Sequence, residues 1–401
     1  MPLEGRNVVL GVCGSIAAYK AADLTSKLVQ AGAKVDVILT ASAQNFVTPF
    51  TFRSLTGRPV YTSMFEPVTD AGEEHVALAR RADLVIVAPA TATTLARLAY
   101  GLADDMLSLT VLATTSPVLV APAMDSQMWA AAATQENVAT LKRRGFEFVG
   151  PLSGRLASGH AGTGRLAEPE TIVGAAKLEL ARTGDLAGRH VVVSAGGTRE
   201  PIDPVRVITN RSSGRMGYAL AEAARDRGAS VTLVSTVDAL PAPYGVELEG
   251  VETVAEMREA VLRACEMAQV LVMAAAMSDF RPAEPAEHKI KKGEGGELTL
   301  RLVQNQSFFP EVPDRVVKVA FAAESRDVIE NALRKPQSHG RLDLICANDI
   351  SAEGAGFGVD TNLVTLLEPG HEPEALPLMS KYDVSMRILD RVRSILETRG
   401  L

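Results

Sequence analysis

Residues 7–18 read Asn7-Val8-Val9-Leu10-Gly11-Val12-Cys13-Gly14-Ser15-Ile16-Ala17-Ala18. Asn7 to Val12 is a β-branched apolar run of strand length. Ile16 to Ala31 then carries apolar residues at helical spacing and stops at Gly32. A strand that passes through glycine into a helix is built to meet an anion. Glycine lets the backbone approach closely, Ser15 can donate its hydroxyl, and the helix start offers free amides and a favourable dipole. The same spacing also serves a tight turn with no ligand. A dinucleotide fits less well than a mononucleotide, because the loop is not G-x-G-x-x-G. The acidic residue expected about 20 positions on is not evident either, since Asp36 falls inside the next strand.

Working outward, Lys34 to Leu39, Asp83 to Ala88 and Val118 to Ala121 read as further strands separated by helical patterns. That alternation predicts βαβ units with right-handed crossovers. Gly150 to Gly164 is rich in Gly and Ser and reads as a long loop. A helix over Glu170 to Ala181 and a linker, Arg182-Thr183-Gly184-Asp185, follow. The rhythm restarts at His190, with strands at Val191–Val193, Ser230–Val234, Val270–Ala276, Lys318–Ala322 and Leu342–Ala347, and a helix at Met216–Arg227 stopped by Gly228. The expected fold class is α/β: two tandem Rossmann-like, doubly wound parallel-sheet domains, residues 1–185 and 186–401. A 401-residue chain suits two or three domains of about 150 residues.

With 41 basic and 48 acidic side chains the net charge is −7, which argues against nucleic acid or an anionic membrane as a partner. The apolar runs are strand-sized, well short of the roughly 20 residues that span a bilayer. The first residues lack a basic region followed by a long apolar core, so no signal peptide is expected. Cys13, Cys265 and Cys346 lie far apart, with neither disulfide nor zinc spacing, and a cytoplasmic location is the simplest expectation.

Two more loops follow strands where ligands of an open sheet gather: Ala88-Pro89-Ala90-Thr91-Ala92-Thr93 and Ala121-Pro122-Ala123-Met124-Asp125-Ser126-Gln127-Met128-Trp129. His75, ahead of a helix, has no partner in its own stretch. In the second half, Ser194-Ala195-Gly196-Gly197-Thr198-Arg199 runs on to Arg206, and Ile208-Thr209-Asn210-Arg211-Ser212-Ser213-Gly214-Arg215 follows. Glycine amides with Arg199, Arg206, Arg211 and Arg215 suit a polyphosphate. Asp279 comes just past a buried strand, where it could accept from a base or stand beside a metal ion. Lys289 and its neighbours could neutralise charge on a transferring phosphate.

The first half resembles the flavin-dependent cysteine decarboxylases over nearly all of residues 5–180. The resemblance rests on the Gly14-Ser15 loop, His75, the Ala88–Ala92 segment, Pro122-Ala123-Met124-Asp125 with Met128-Trp129, and the Gly164-Arg165-Leu166 block ending at Glu168-Pro169. It implies a flavodoxin-like domain that binds FMN through Gly14, Ser15, Ile16, Thr40, Ala90, Thr91 and Ser108, commonly in trimers. Residues 188–395 resemble the CTP-using phosphopantothenate–cysteine ligases. There Asn210 would hold an acyl-cytidylate, and the Met273-Ala274-Ala275 backbone, Asp279, Lys289, Phe308, Phe321 and Lys335 would line the CTP site, with Arg341 beside it; Mg²⁺ would accompany the nucleotide, Asp279 being its candidate ligand. Decarboxylase followed by ligase is the order of the bifunctional coenzyme A biosynthesis flavoproteins. The resemblance implies joining of 4'-phosphopantothenate to cysteine at the expense of CTP, then FMN-dependent decarboxylation to 4'-phosphopantetheine. It also implies a homo-oligomer of decarboxylase-domain trimers and ligase-domain dimers.

The chain departs from the decarboxylase pattern at two positions. Asp125 stands where the family usually has Asn, and Ser158, in Ala157-Ser158-Gly159, stands where it usually has a Cys that serves as an acid. An ionised Asp125 would repel a substrate carboxylate. Asp125 could substitute only if protonated, a state that burial beside Met124, Met128 and Trp129 would favour by raising its pKa. His160 or Cys13 could stand in for the missing thiol. On the ligase side, Asn305-Gln306-Ser307 replaces a usual Asn-Pro-Asp, and Gly340-Arg341 replaces a usual lysine. The alternative reading keeps the ligase and makes the N-terminal domain a flavin-binding oligomerisation scaffold.

Overall fold

Strands such as Val8–Val12 and Leu84–Ala90 are buried along almost their whole length, a pattern satisfied only by a sheet covered on both faces. The computed structural model describes residues 2–65, 73–291, 297–324, 328–334, 340–349, 354, 356 and 358–401. The chain divides into two compact units, Met1–Ala181 and Arg182–Leu401.

The first unit runs β1 (Asn7–Val12), α1 (Tyr19–Gln30), β2 (Lys34–Leu39), α2 (Pro49–Thr56), β3 (Val60–Tyr61), α3 (Glu74–Arg81), β4 (Leu84–Ala90), α4 (Ala92–Tyr100), α5 (Met106–Ala113), β5 (Val118–Pro122), α6 (Ser126–Ala130), α7 (Ala132–Arg143), β6 (Glu147–Phe148), β7 (Leu152–Arg155), β8 (Ala161–Arg165) and α8 (Pro169–Ala181). Its sheet has the order β3-β2-β1-β4-β5-β6, with every pairing parallel. Leaving aside the two-residue edge strand β3, the remaining strands run 2-1-3-4-5 in chain order, the flavodoxin-like arrangement. Val9, Val85, Val87 and Val120 fill the core beneath α4 and α5. Each fully buried valine contributes about 1.5–3 kcal/mol.

Residues 150–164 are not the long loop that their composition suggests. β7 and β8 pair antiparallel, from Leu152 opposite Arg165 to Arg155 opposite Ala161. The ribbon is held by backbone bonds while its side chains are mostly exposed. No apolar alternation is needed for that, so the sequence carried no strand signal.

The second unit begins with β9 (His190–Ala195), β10 (Arg199–Pro201), β11 (Val207–Thr209), α9 (Arg215–Arg225), β12 (Ser230–Ser235), β13 (Glu247–Gly250), α10 (Val254–Cys265), β14 (Val270–Met273), β15 (Phe280–Pro282) and β16 (Leu302–Gln304). It continues with β17 (Val317–Glu324), α11 (Val328–Arg334), β18 (Leu344–Asp349), β19 (Thr361–Asn362), β20 (Val364–Leu367), β21 (Glu374–Ala375), β22 (Met379–Ser380) and α12 (Lys381–Arg399). The main sheet is ordered β13-β12-β9-β14-β17-β18-β20-β21. It is parallel as far as β18, and β20 and β21 add an antiparallel edge. Only six residues join β20 to β21, too few for the long crossover that a parallel neighbour needs. Among the described residues no helix is long and apolar enough to cross a membrane.

Both sheets reverse direction once. In the first, the chain leaves β1 to one side and returns beside it as β4. In the second, it leaves β9 and returns as β14. Crevices at the carboxyl ends of such strands are where open α/β sheets bind ligands, and both glycine loops lie there.

Candidate functional site

In the first unit the turn after β1 is steric necessity. A Cβ on Gly14 would lie 2.4 Å from Cβ of Ser42, so only glycine fits. Ser15 caps the following 3₁₀ turn, its Oγ accepting from the Ala17 amide. Thr91 caps α4 in the same manner, accepting from the Thr94 amide.

A cavity of about 680 Å³ lies beside these turns, and Gly14, Ser15, Ile16, Thr91, Asp125 and Ser158 are part of its wall. Its size falls within the range of small-molecule sites, roughly 300–1,000 Å³. The β7–β8 hairpin forms the opposite wall. It can lie flat on the Met124–Ser126 segment because β8 is Gly-rich: a Cβ on Gly164 would lie 2.2 Å from the Met124 carbonyl. The Met124 amide donates to the Gly164 carbonyl at 3.0 Å, fixing the contact.

The hairpin places Ser158 over Asp125. Ser158 Oγ donates to Asp125 Oδ2 at 2.7 Å, and the Gln127 amide donates to Oδ1 at 3.0 Å. The Ser158 hydrogen bond foremost, then the Gln127 amide and the proximity of His160, hold the Asp125 carboxyl below its ordinary range. The burial that would favour a protonated Asp125 is therefore not found. Its side chain is accessible at the start of α6, and two donors favour the carboxylate. Cys13 is corrected as a stand-in acid as well. It is buried beneath Thr94, whose hydroxyl donates to Sγ at 3.2 Å, and burial pushes its thiol up to about 11.

Three cations to which sequence reasoning gave no role, Lys20, Arg155 and Arg165, also line the cavity. Glu168 accepts from Lys20 at 2.9 Å and from Arg165, clamping α1 to the hairpin. The Lys20 hydrogen bond is the main cause holding the Glu168 carboxyl below its ordinary value. One signal could have found Lys20: it follows Ile16 by four residues, the spacing of one helix face.

Not every expected flavin contact gathers here. Ser108 is 3% exposed, and its hydroxyl is spent on a capping box with Asp105, donating at 2.7 Å. Ala90 is buried in β4. Thr40 receives the Ala43 amide at the end of β2, and half-buried His75 opens α3; none of these is part of the cavity wall.

In the second unit the loops after β9 and β14 are stitched together. Gly197 bridges Ala276, the Ala276 amide donates to the Gly196 carbonyl at 2.8 Å, and Ser194 Oγ accepts from the Ala275 amide at 3.1 Å. The β10–β11 ribbon folds over this seam. A Cβ on Gly197 would meet the Asn210 carbonyl at 2.5 Å, so glycine lets the ribbon close. Asn210 Nδ2 then donates to the carbonyls of Met277 at 2.9 Å and Ala276 at 3.3 Å. Its amide is exposed and held in one orientation.

Asp203 joins Lys289 to the same ribbon. Its carboxylate accepts from the Val205 and Arg206 amides, both at 2.8 Å, and from the Ile290 amide at 3.2 Å. Burial opposes the charge, but these amides and the Arg206 guanidinium prevail and hold the carboxyl below its ordinary value. Lys289, Asp279 and Arg341 are exposed, and Phe321 is half-buried on β17. Met273 ends β14, with Ala274 and Ala275 following it into the seam. Phe308 is 1% exposed and stacks on Phe309 with centroids 6.3 Å apart, so its ring packs into the core wall. Lys335 lies outside the described residues. Among the described residues no group of three or more His, Cys, Asp or Glu side chains could hold a metal ion.

Of the four arginines expected to serve a polyphosphate, Arg206 pairs with Asp203 at 2.6 Å, Arg199 with Asp238 at 3.6 Å and Arg215 with Asp360. Arg211 is exposed.

Residues 1–179 match the family described as Flavoprotein, and residues 186–396 match the DNA/pantothenate metabolism flavoprotein C-terminal domain. Along its length the chain is 47% identical to the coenzyme A biosynthesis bifunctional protein CoaBC of Bacillus subtilis, covering 99% of both chains. It is 43% identical to the Escherichia coli K12 protein of the same name, covering 98% of each. The crystal structure of a CoaBC C-terminal domain is 34% identical over 54% of this chain and all of that one, with a TM-score of 0.46. A family match over more than half the chain, together with relatives this similar from end to end, means that the chain belongs to the coenzyme A biosynthesis bifunctional proteins.

Proposed function

We propose that this chain catalyses two successive steps of coenzyme A biosynthesis. The second unit couples 4'-phosphopantothenate to cysteine with CTP, and the first decarboxylates the product to 4'-phosphopantetheine. The observation that carries this reading is the placement of a glycine loop at the switch point of each sheet, in a chain collinear with the bifunctional relatives.

The first cavity fits FMN. Gly14 leaves room for backbone amides to approach a phosphate, Ser15 offers a hydroxyl, Lys20 and Arg165 offer positive charge, and Ile16 gives an apolar face. We assign Gly14, Ser15, Ile16 and Thr91 as its holders. A bound flavin supplies the oxidation of the cysteine thiol and the later return of two electrons. The chain's own residues do the rest. The hairpin shields the cavity from water, Arg155 and Arg165 attract the anionic substrate, and Ser158 is held at the wall by an ionised Asp125 that acts as an acceptor.

In the second unit, Asn210 presents a neutral amide over the β9–β14 seam, where it orients an acyl or phosphoryl oxygen without adding charge. Lys289, fixed through Ile290 to Asp203, brings an ammonium toward the triphosphate. Mg²⁺ is assigned as the companion of CTP, with Asp279 as its candidate protein ligand. We also assign a homo-oligomeric assembly, for which exposed Tyr19, Phe50 and Phe65 provide apolar surface on the first unit. A cytoplasmic location fits the three free, buried thiols.

The test is to supply the flavin-loaded protein with 4'-phosphopantothenate, cysteine and CTP. The expected result is release of CO₂ and formation of 4'-phosphopantetheine. Accumulation of 4'-phosphopantothenoylcysteine without CO₂ would leave only the ligase and make the first unit a flavin-binding scaffold.

A further inference from the structure

Lys381, the first residue of α12, is 6% exposed. Its Nζ donates to three backbone carbonyls: Val359 at 2.5 Å, Thr361 at 2.8 Å and Gly356 at 3.3 Å. Three acceptors match the three N–H bonds of an ammonium, whereas a neutral amine has only two to give. The loop that supplies them is shaped for the purpose. Gly354, Gly356 and Gly358 adopt φ of +78°, +94° and +86°, a conformation that side chains resist, and so the chain curls around the charge. Converging carbonyls of this kind are how proteins hold a bare monovalent cation; here the cation is tethered to a helix.

The same loop reaches the phosphate-loop end of α9. The Lys381 amide donates to the Asp360 carbonyl at 2.9 Å, and the Asp360 carboxylate pairs with Arg215, the first residue of α9. Short β19 and β22 pair through Thr361 and Ser380, and Asn362 Nδ2 lies 3.7 Å from Met216 Sδ, one residue beyond Arg215. Arg215 is thus held from the loop side by a residue whose place depends on the Lys381 ammonium.

We propose that Lys381 is a positioning residue of the ligase, an internal cation that sets Gly356 and the 358–361 segment and through Asp360 aims Arg215 at the nucleotide triphosphate. The second half of this statement rests on the reading of the Gly196–Gly197 loop as a triphosphate site. The first half does not. Emptied of its ammonium, the carbonyl nest takes from solution a monovalent cation of about the size of an ammonium group in its place.

The experiment compares full-length Lys381→Ala, which leaves the ammonium's place open, with wild type in sodium, potassium, ammonium and tetramethylammonium chloride at equal ionic strength. Amide hydrogen exchange over residues 358–362 and coupling kinetics are both measured. In sodium or tetramethylammonium the variant's loop exchanges about tenfold faster than wild type, and potassium or ammonium restores most of the protection. KM for CTP rises by about the same factor and is rescued by the same ions, while kcat changes less. Unchanged loop exchange in the variant, or faster exchange that no cation relieves, overturns the internal-cation role. Faster exchange with an unchanged KM overturns the link to Arg215. Should the wild type itself form no amide product, the triphosphate reading fails, while the exchange arm still decides whether Lys381 holds the loop. A variant that does not fold is replaced by acetic anhydride labelling of native wild type, in which Lys289 and Lys291 react and Lys381 does not. Equal labelling of all three sinks the proposal.

Discussion

Ser158 Oγ stands 2.7 Å from Asp125 Oδ2, so the two positions at which this chain departs from the decarboxylase pattern are bonded to each other. One sits on the hairpin and the other opens α6, and the hairpin's register brings them together. A serine in place of a thiol loses an acid, but its hydroxyl gives an ionised aspartate the donor that an asparagine would not require. Because Asp125 is held below its ordinary pKa, chiefly by Ser158, the contact is fully present above the unfolded value of about 3.9 and is lost as pH falls through the lower folded value. Ser158→Ala should move the Asp125 titration upward toward that ordinary value. A carboxyl titration by NMR that is the same in both proteins would show that the hydroxyl does not govern the charge.

Restoring the usual pair is a separate matter. Asp125→Asn with Ser158→Cys removes the charge at the cavity wall and supplies a thiol at the same place on the hairpin. Decarboxylation should be preserved or raised, as followed by CO₂ release from 4'-phosphopantothenoylcysteine. A sharp fall would mean that the Asp125–Ser158 pair belongs to a working alternative chemistry.

Asn210 presents the opposite case, a neutral group whose neutrality is required. Its Nδ2 donates to the Met277 carbonyl at 2.9 Å, with the Ala276 carbonyl beside it at 3.3 Å. Asn210→Asp replaces that donor group by an acceptor facing carbonyl oxygens and adds charge beside a phosphoryl group. Amide formation should fall by about a hundredfold, the effect of losing one preorganised donor. Decarboxylation of preformed 4'-phosphopantothenoylcysteine should be unchanged. Normal coupling kinetics would remove Asn210 from the site.

The sheets and their loops were legible because a buried parallel strand must be apolar throughout and a close approach must be glycine. Val191–Val193 with Gly196-Gly197 reads the same in sequence and in space. The hairpin was not legible, since Gly and Ser side chains on an exposed ribbon carry no period. The Ser158–Asp125 contact spans 33 residues and depends on the hairpin's register, which local patterning cannot convey. Phe308 illustrates a different limit, for an aromatic residue reads alike whether it lines a cavity or the core. Ser108 was readable after all: Asp105 three residues before it, ahead of an apolar helix, is a capping signature that competes with a ligand role.

Gly197 tests the seam directly. Gly197→Ala puts a methyl 2.5 Å from the Asn210 carbonyl, a backbone atom that cannot swing aside as a side chain would. The ribbon must lift, at a cost of about 1–3 kcal/mol for overpacking. Ligase kcat/KM should drop while decarboxylation of preformed substrate holds. Equal loss of both activities would point to general unfolding instead of a displaced ribbon.

Asp36, the acidic residue that failed as a cofactor ligand, has a structural task. Its carboxylate is 1% exposed and is gripped by Arg58 at 2.8 Å and Arg81 at 2.9 Å, with Arg81 also donating to the Tyr61 hydroxyl at 3.0 Å. These contacts tie β2 to the segment after α2 and to the end of α3, the helix that begins with Glu74 and His75. Asp36→Ala leaves two guanidiniums, each about one-third exposed to water, without their buried carboxylate, and losing one partner of such hydrogen bonds costs about 1–3 kcal/mol. Denaturant unfolding should show the first unit's transition shifted by that amount and the second unit's unmoved. Flavin affinity should fall only to the extent that the first unit unfolds. A direct flavin contact by Asp36 would instead weaken binding in the fully folded variant.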